Sequence, residues 1–589
     1  PSVAQEFARA LHDTFNRADG YLESDRALVT WCVGHLVAMS YPEAYDPELK
    51  KWRMETLPFL PPTFQYEIID HVKKQFGIVK ALLNRKDVDR VYVCTDSGRE
   101  GEYIYRLVEQ MAGTCVKDRR RVWIDSQTES EIQRGIREAR PLSDYDNLAS
   151  SAYLRAKEDY LMGINFSRAL ALKYGYQISD FLGKKTKLAV GRVMTCVLGM
   201  VVRREREIRE FVKTPFFRLI ASFSFDHLPD QPRLQGEWRA VEGSRYFESP
   251  VLYKENGFRE EALAKAFLRE LQGKSGQIHS LSRKKEKNHP PLLFNLAELQ
   301  NSCAKELKIS PDETLNLAQE LYEKKLVTYP RTDARVLYSA VAKEIHKNIA
   351  GLERIADVNP FVKMIFEKGW DKGIGKSKYT NDKMITDHYA IIPTGQGLEA
   401  LSKLSSQARA VYEMIVRRFL AFFFPPAVYE KTGVEILIEK EHFFAVYKNL
   451  LEEGYLAVSS RRKEKGEEEK GSGAEEEAEE QDGDGVKALL ASLKKGMELP
   501  PAHLSLKPGE TAPPKRYNSG TMILAMENAG QLIEDENLRA QIKGSGIGTS
   551  ATRAEILKKL VNNEYLKLNK KTQQITPTQL GEMIYDTVD

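Results

Sequence analysis

Apolar positions along the chain follow two periods, and the switch between them marks out the elements. Val3, Phe7 and Leu11 recur on one face and predict an opening helix. The run LVTWCVGHLV at 28–37 is apolar and rich in branched residues, which predicts a buried strand, and LPFLPP at 57–62 predicts a proline-stiffened connection. A second buried strand is predicted for VDRVYVCT at 88–95. Helical spacing takes over at 100–111. RVWIDSQT at 121–128 continues the strand–helix alternation, and 144–171 reads as helix. From 217 to 287 the pattern shortens to alternating strands and charged turns. PPLLFNLAELQNSC then opens a helical region. Within it Ser310 as N-cap, Pro311 at the first position and Glu313 closing a capping box predict a helix start. Leu315, Ala318 and Tyr322 give that helix an apolar stripe, and it should end at Lys324 or Lys325. An apolar and basic helix at 412–424 leads back to strands ending near Ala457. Near the end, a glycine-rich loop runs into a helix starting at Thr549 or Ser550; NEYLKL and TQQITPTQLG follow like the wing and last helix of a winged-helix-like unit.

Length and charge turn this series into several domains with a polyanionic partner in view. At 589 residues the chain is well beyond the ~250–300 at which single cores stop growing. No run of about 20 apolar residues and no apolar leader is present, so neither a membrane span nor a signal peptide is indicated, and a cytoplasmic location is expected. Five scattered cysteines without a CxxC pair indicate neither a zinc site nor a disulfide framework. The net charge of +4 hides an acidic tract at 464–484 with eleven carboxylates against two lysines; without those nine net negative charges the remainder carries +13. Such a tract, poor in apolar residues, is expected to be a disordered or mobile surface loop.

The candidate chemistry centres on LVTYPRTD at 326–333. A tyrosine hydroxyl near pKa 10 is a poor nucleophile unless helped. Arg331 can hold a phosphate or the charge developing on it, and Asp333 can orient that arginine. As a bare pentapeptide, YPRTD is equally a turn with a surface ion pair. In TDSGREGE a strand ends in acidic residues at the start of a helix, the usual location of a site in an open α/β sheet. Asp96 and Glu100 are oxygen ligands suited to Mg²⁺, or else a helix cap and a dipole partner. His388, in ITDHYAIIPT, is a further titratable group. The loop KGSGIGTSATRAEIL offers backbone N–H groups and a helix N-terminus to a phosphate, although it is not a Walker A loop.

Taken in order, these stretches resemble the type IA DNA topoisomerases, nearest to the bacterial topoisomerase III group, over almost the whole chain. The resemblance implies a multidomain α/β and β-rich fold: a Toprim α/β domain, winged-helix-like helical domains and a β-rich arch forming a torus. It places a Toprim domain at 1–150, lacking its first strand. Helical gate segments follow at 151–214 and 487–589, arch segments at 215–280 and 405–460, a tyrosine-bearing domain at 281–404 and the acidic loop at 461–486. It implies ATP-independent cleavage of one strand through a 5′-phosphotyrosine at Tyr329, strand passage and resealing. Arg331 is implied beside the phosphate, Mg²⁺ at Asp96 and Glu100, and contacts to DNA from Asp159, Arg192, Asp333, His388, Thr552 and Arg553. Single-stranded or underwound DNA is the implied partner, with a helicase as the expected protein partner, no membrane and a monomeric state in a bacterial cytoplasm.

The sequence also departs from the family pattern. Gly98 stands where the second aspartate of DxDxE is expected, Met194 and Cys196 replace a common glutamine and proline, and Tyr389 replaces a second histidine. The family's Toprim glutamate and lysine fall just before the residues matching Pro1 and Ser2, which implies that this stretch of chain is impaired in catalysis. Two other readings stay open: a Toprim nuclease or primase in which Tyr329 only packs, and a strand-binding protein that has lost its chemistry.

Overall fold

The computed structural model describes residues 2–114, 118–228, 230–385, 388–459, 484–532 and 546–588. The acidic tract, apart from its last residue, and Lys543, Gly544 and Ser545 of the glycine-rich loop lie outside the described residues. Two compact units are present. One comprises Pro1–Arg206, Leu292–Phe419 and Arg516–Asp589; the other comprises Glu207–Pro291 and Leu420–Lys515. Among the described residues no helix is long and apolar enough to cross a membrane.

In the first unit the strand Arg90–Val93 pairs in parallel with Asp118–Arg121, with Val93 opposite Arg121, and Arg140–Pro141 adds an antiparallel edge. Five residues separate the end of the first of these strands from the helix Arg99–Ala112. It buries Leu107 and Val108 against Leu36, Val37, Phe76 and Val79. The strand expected over 28–37 is broken: Leu28–Thr30 and Val37–Met39 belong to different small sheets. Gly34 sits between them at φ +85°, a left-handed conformation that ends any straight ladder. Helix Asp146–Phe181 is longer than expected, and Arg192–Glu210 packs Val197, Leu198 and Val201 into the core formed by the last elements. Those elements are helix Ser550–Asn562, the antiparallel pair Leu566–Leu568 and Ile575–Pro577, and helix Gln579–Val588, in the winged order expected.

Helix Pro311–Glu323 begins where its sequence predicts, with Pro311 in its first turn and the Ser310 hydroxyl accepting from Glu313 N at 3.2 Å, which is one half of the expected capping box. Lys324 caps it, and Lys325 turns the chain at φ +64°. The next residues form a short bridge to the 390–394 segment, Val327 opposite Pro393, with Thr328 N donating to Ile392 O at 3.0 Å. That bridge brings the tyrosine segment and the His388 segment side by side.

The second unit is a nine-stranded antiparallel sheet whose long strands are Pro215–Ser224, Arg233–Arg239, Ser275–Asn288, Ala427–Ile438 and Glu441–Glu452. Two strands come from a stretch expected in the final helical domain. Glu498–Pro501 pairs with Ser275–Asn288, and His503–Glu510 pairs with Pro215–Ser224 along its full length, so the return to the first unit falls at Arg516 rather than at 487. The 217–287 stretch also contains a helix, Glu261–Leu271, in addition to strands. Ala264, Phe267 and Leu271 bury on one face of it, a 3.6-residue stripe within a region of period two. Trp238 has no exposed surface, stacks on Phe258 at 5.1 Å and donates its indole N–H to Glu441 Oε2 at 2.8 Å.

Replacing Trp238 with Phe leaves the Glu441 carboxylate buried without that donor. A loss of about 1–3 kcal/mol in the stability of the β-rich unit is expected, read as a lower urea midpoint by circular dichroism.

Candidate active site

The site is assembled around a backbone turn that one guanidinium holds. After Val93 the chain leaves its strand, passes through Thr95, Asp96, Ser97 and Gly98, and enters the helix. Arg121 has no exposed surface. Its Nη1 donates to the carbonyls of Val93, Thr95 and Val122 at 3.0, 2.8 and 3.1 Å, and its Nη2 to Asp96 O at 2.5 Å. Its Nε donates to Glu102 Oε2 at 2.9 Å, and Glu102, equally buried, also accepts from Arg106 at 2.8 Å. Burial pulls the Arg121 pKa down and the Glu102 charge opposes that shift. Gly101 completes the turn. A Cβ there would stand 2.0 Å from Asp96 O, so the helix can cross the turn only at glycine.

Tyr329 reaches this turn from the other direction. Its backbone N–H donates to Asp125 O at 2.8 Å, and its hydroxyl donates to Asp96 Oδ2 at 3.3 Å. The side chain is 7% exposed, with Tyr322 edge-on at 5.4 Å and the His388 ring at 4.3 Å. Burial raises its pKa well above 10, the Asp96 charge adds to the rise, and Arg331 works against it. A free phenolate is therefore disfavoured, and the proton has to leave as the attack proceeds. Arg331 Nη1 stands 4.0 Å from Asp96 Oδ2, while its Nε is buried with no acceptor among the described residues. A buried guanidinium donor with no partner, close to a tyrosine hydroxyl, is chemically suited to an anionic oxygen.

Glu100 lies on the same turn and pairs with His35 at 2.5 Å. The His35 hydrogen bond holds its carboxyl below the usual range, with further help from the charges of Arg331 and Arg155. Arg155 is itself pulled down, first by burial and then by the nearby charges of Arg99 and Arg192, and it is also felt by Asp159 and Glu100. Several guanidiniums thus share one field, a cationic setting for a strand backbone.

Not every expected residue points at that field. Arg192 is matched by two carboxylates, Asp159 at 3.0 Å and Glu158 at 3.1 Å, so Asp159 orients an arginine in this structure. Asp333 was expected to orient Arg331 and instead pairs with Arg553 at 2.9 Å. Arg553, expected at a phosphate, is 2% exposed and also donates to the carbonyls of Ile547 and Gly548. Thr552 exchanges capping bonds with Thr549, where it fastens the helix start. His388, expected against a phosphate, is 3% exposed and bonded to Asp125 and to the Ser97 carbonyl. The residues doing this holding, the buried Arg121 and Glu102 and the half-buried Asp125, were missed. All three sit in stretches already singled out, TDSGREGE and RVWIDSQT.

Comparison with known proteins agrees with this geometry. The family model described as DNA topoisomerase matches residues 143–589, and that described as Toprim domain matches residues 2–126. The DNA topoisomerase 3 proteins of Bacillus subtilis (strain 168) and Bacillus licheniformis are each 35% identical over 100% of this chain and 74% of their own length. That of Shouchella clausii is 34% identical over 97% of this chain and 72% of its own. Among solved structures, full-length topoisomerase I from Thermotoga maritima matches with a TM-score of 0.67 at 21% identity, covering 100% of this chain and 81% of that one, a likeness of fold.

Changing Arg121 to Met removes the buried cation bonded to Glu102 Oε2 and releases the carbonyls of Val93, Thr95, Asp96 and Val122. A loss of roughly 3–5 kcal/mol is expected on chemical unfolding. Much of it should return when Glu102 is also changed to Met.

Proposed function

The chain belongs to the type IA DNA topoisomerase family, and on that premise we propose that Tyr329 is its nucleophile, with Arg331 and Asp96 as the groups that make it one. The enzyme needs no ATP: it cleaves one DNA strand through a 5′-phosphotyrosine link, passes a strand and reseals. The observation that carries the assignment is the Tyr329 hydroxyl on Asp96 Oδ2 beside the unpaired Arg331 Nε.

In the cleavage step the Tyr329 oxygen bonds to phosphorus as the bond from phosphorus to the 3′ oxygen breaks. The phenolic proton passes to Asp96 Oδ2, which already accepts it in a hydrogen bond, and the departing 3′ oxygen takes a proton from water, to which Asp96 returns its own, so that no net proton is gained or lost. Arg331 donates to the non-bridging oxygens as charge gathers on them. One phosphodiester is exchanged for another, so resealing by the 3′ hydroxyl runs the same path in reverse. Arg155 and Arg99 steer the strand towards the site.

Toprim domains typically bind a divalent metal, and Mg²⁺ is the ion that this turn suits. Among the described residues no three His, Cys, Asp or Glu side chains converge as a cage. Mg²⁺ takes one or two carboxylates and completes its shell with waters and phosphate oxygens, and Asp96 and Glu100 fit that habit. When bound, it would neutralise charge on the phosphate. Gly98 is not imposed by the backbone: its φ of 177° is extended, and a Cβ there meets nothing within 4 Å.

Two outcomes are expected. Tyr329→Phe should form no covalent adduct with a labelled single strand while binding it as the parent does; adduct formation by that variant would rule the assignment out. Gly98→Asp should tighten Mg²⁺ binding roughly tenfold or more in calorimetric titration without DNA, by adding a third carboxylate. An unchanged affinity would mean that Asp96 and Glu100 do not share an ion.

A further inference from the structure

His388 is held by acceptors on both sides. Its Nδ1 stands 2.5 Å from Asp125 Oδ1, and its Nε2 meets the Ser97 carbonyl oxygen. A carbonyl can only accept, so Nε2 carries a hydrogen, and Nδ1 faces a carboxylate. An imidazolium donating from both nitrogens satisfies both contacts. Trp123 is stacked 5.9 Å from its ring centroid at 14°, and the Tyr329 ring lies 4.3 Å away. The same few residues are also joined through the backbone. Asp125 O accepts from Tyr329 N at 2.8 Å, and His388 O accepts from the Thr332 hydroxyl at 2.7 Å. Three segments distant in sequence, at 97, 125 and 388, therefore close around Tyr329 with one imidazole ring at their junction.

We propose that Asp125 is a positioning residue for strand cleavage: acting through His388, it keeps an imidazolium against the Tyr329 ring and so offsets the cost of negative charge on a buried phenol. Asp125 touches neither substrate nor the reacting oxygen. Its carboxylate fixes the tautomer, the orientation and the charge of the ring that packs on Tyr329. The inference rests on Tyr329 being the nucleophile. It adds a residue and a purpose for the buried histidine, which cannot reach a phosphate while both of its nitrogens are bound to protein.

Asp125→Asn tests it in the full chain, because the amide can serve a neutral imidazole in nearly the same space. Single-turnover cleavage of a labelled oligonucleotide should slow by about 10- to 100-fold, the usual effect of removing a residue that orients a functional one, while the Kd for that oligonucleotide stays within about twofold. Asp125→Glu should recover part of the rate. In ¹⁵N NMR of histidine-labelled protein at neutral pH, both ring nitrogens of His388 should be protonated in the parent and only one in the Asn variant. Parental cleavage by Asp125→Asn, or equal losses in rate and affinity, would overturn the proposal. So would a neutral His388 in the parent, a measurement that stands even if the variants do not fold. Adduct formation by Tyr329→Phe would instead remove the underlying reading, and is scored separately.

Discussion

A guanidinium with no exposed surface sets the geometry of everything else in the site. Arg121 gives its donors to the carbonyls of Val93, Thr95 and Asp96 and to a carboxylate that is itself fully buried. Taking two charges out of water is costly unless every donor is used, and here all three nitrogens of Arg121 are. The return is a rigid turn. Asp96 is presented at a strand end with its backbone clamped.

Against that fixed turn the tyrosine segment is delivered by a well-capped helix and a short bridge to 390–394, and it docks through a backbone bond to Asp125 and a side-chain bond to Asp96. Burial makes the tyrosine a weaker acid, which on its own would slow the chemistry. The same burial strengthens each charge around it, because those charges act through little water. On the proposed reading, a proton acceptor at Asp96, an unfilled donor at Arg331 and the ring of His388 turn a protected phenol into a group poised for a phosphate.

What the sequence made legible was local. Ser310 and Pro311 announced their helix, TDSGREGE announced a strand running into a helix at acidic residues, and the wing followed NEYLKL, since each depends on neighbours a few residues away. Gly34 broke the strand expected at 28–37, and an apolar stripe at 264, 267 and 271 hid a helix among strands. Pairings across long separations were out of reach. Asp333 chooses Arg553, 220 positions away, over its neighbour Arg331, and His388 takes Asp125 across 263 positions. A short motif shows which residue types are available; only the fold decides which charges neutralise one another and which, like Arg331, are left with a donor to give.

The central claim is that the phosphate is joined to Tyr329 and to no other side chain. Mass spectrometry of the covalent complex, trapped on an oligonucleotide and digested with trypsin, tests it directly. The peptide LVTYPR, residues 326–331, should carry the nucleotide through its 5′ phosphate. A nucleotide on any other peptide, or attached through its 3′ phosphate, would contradict it.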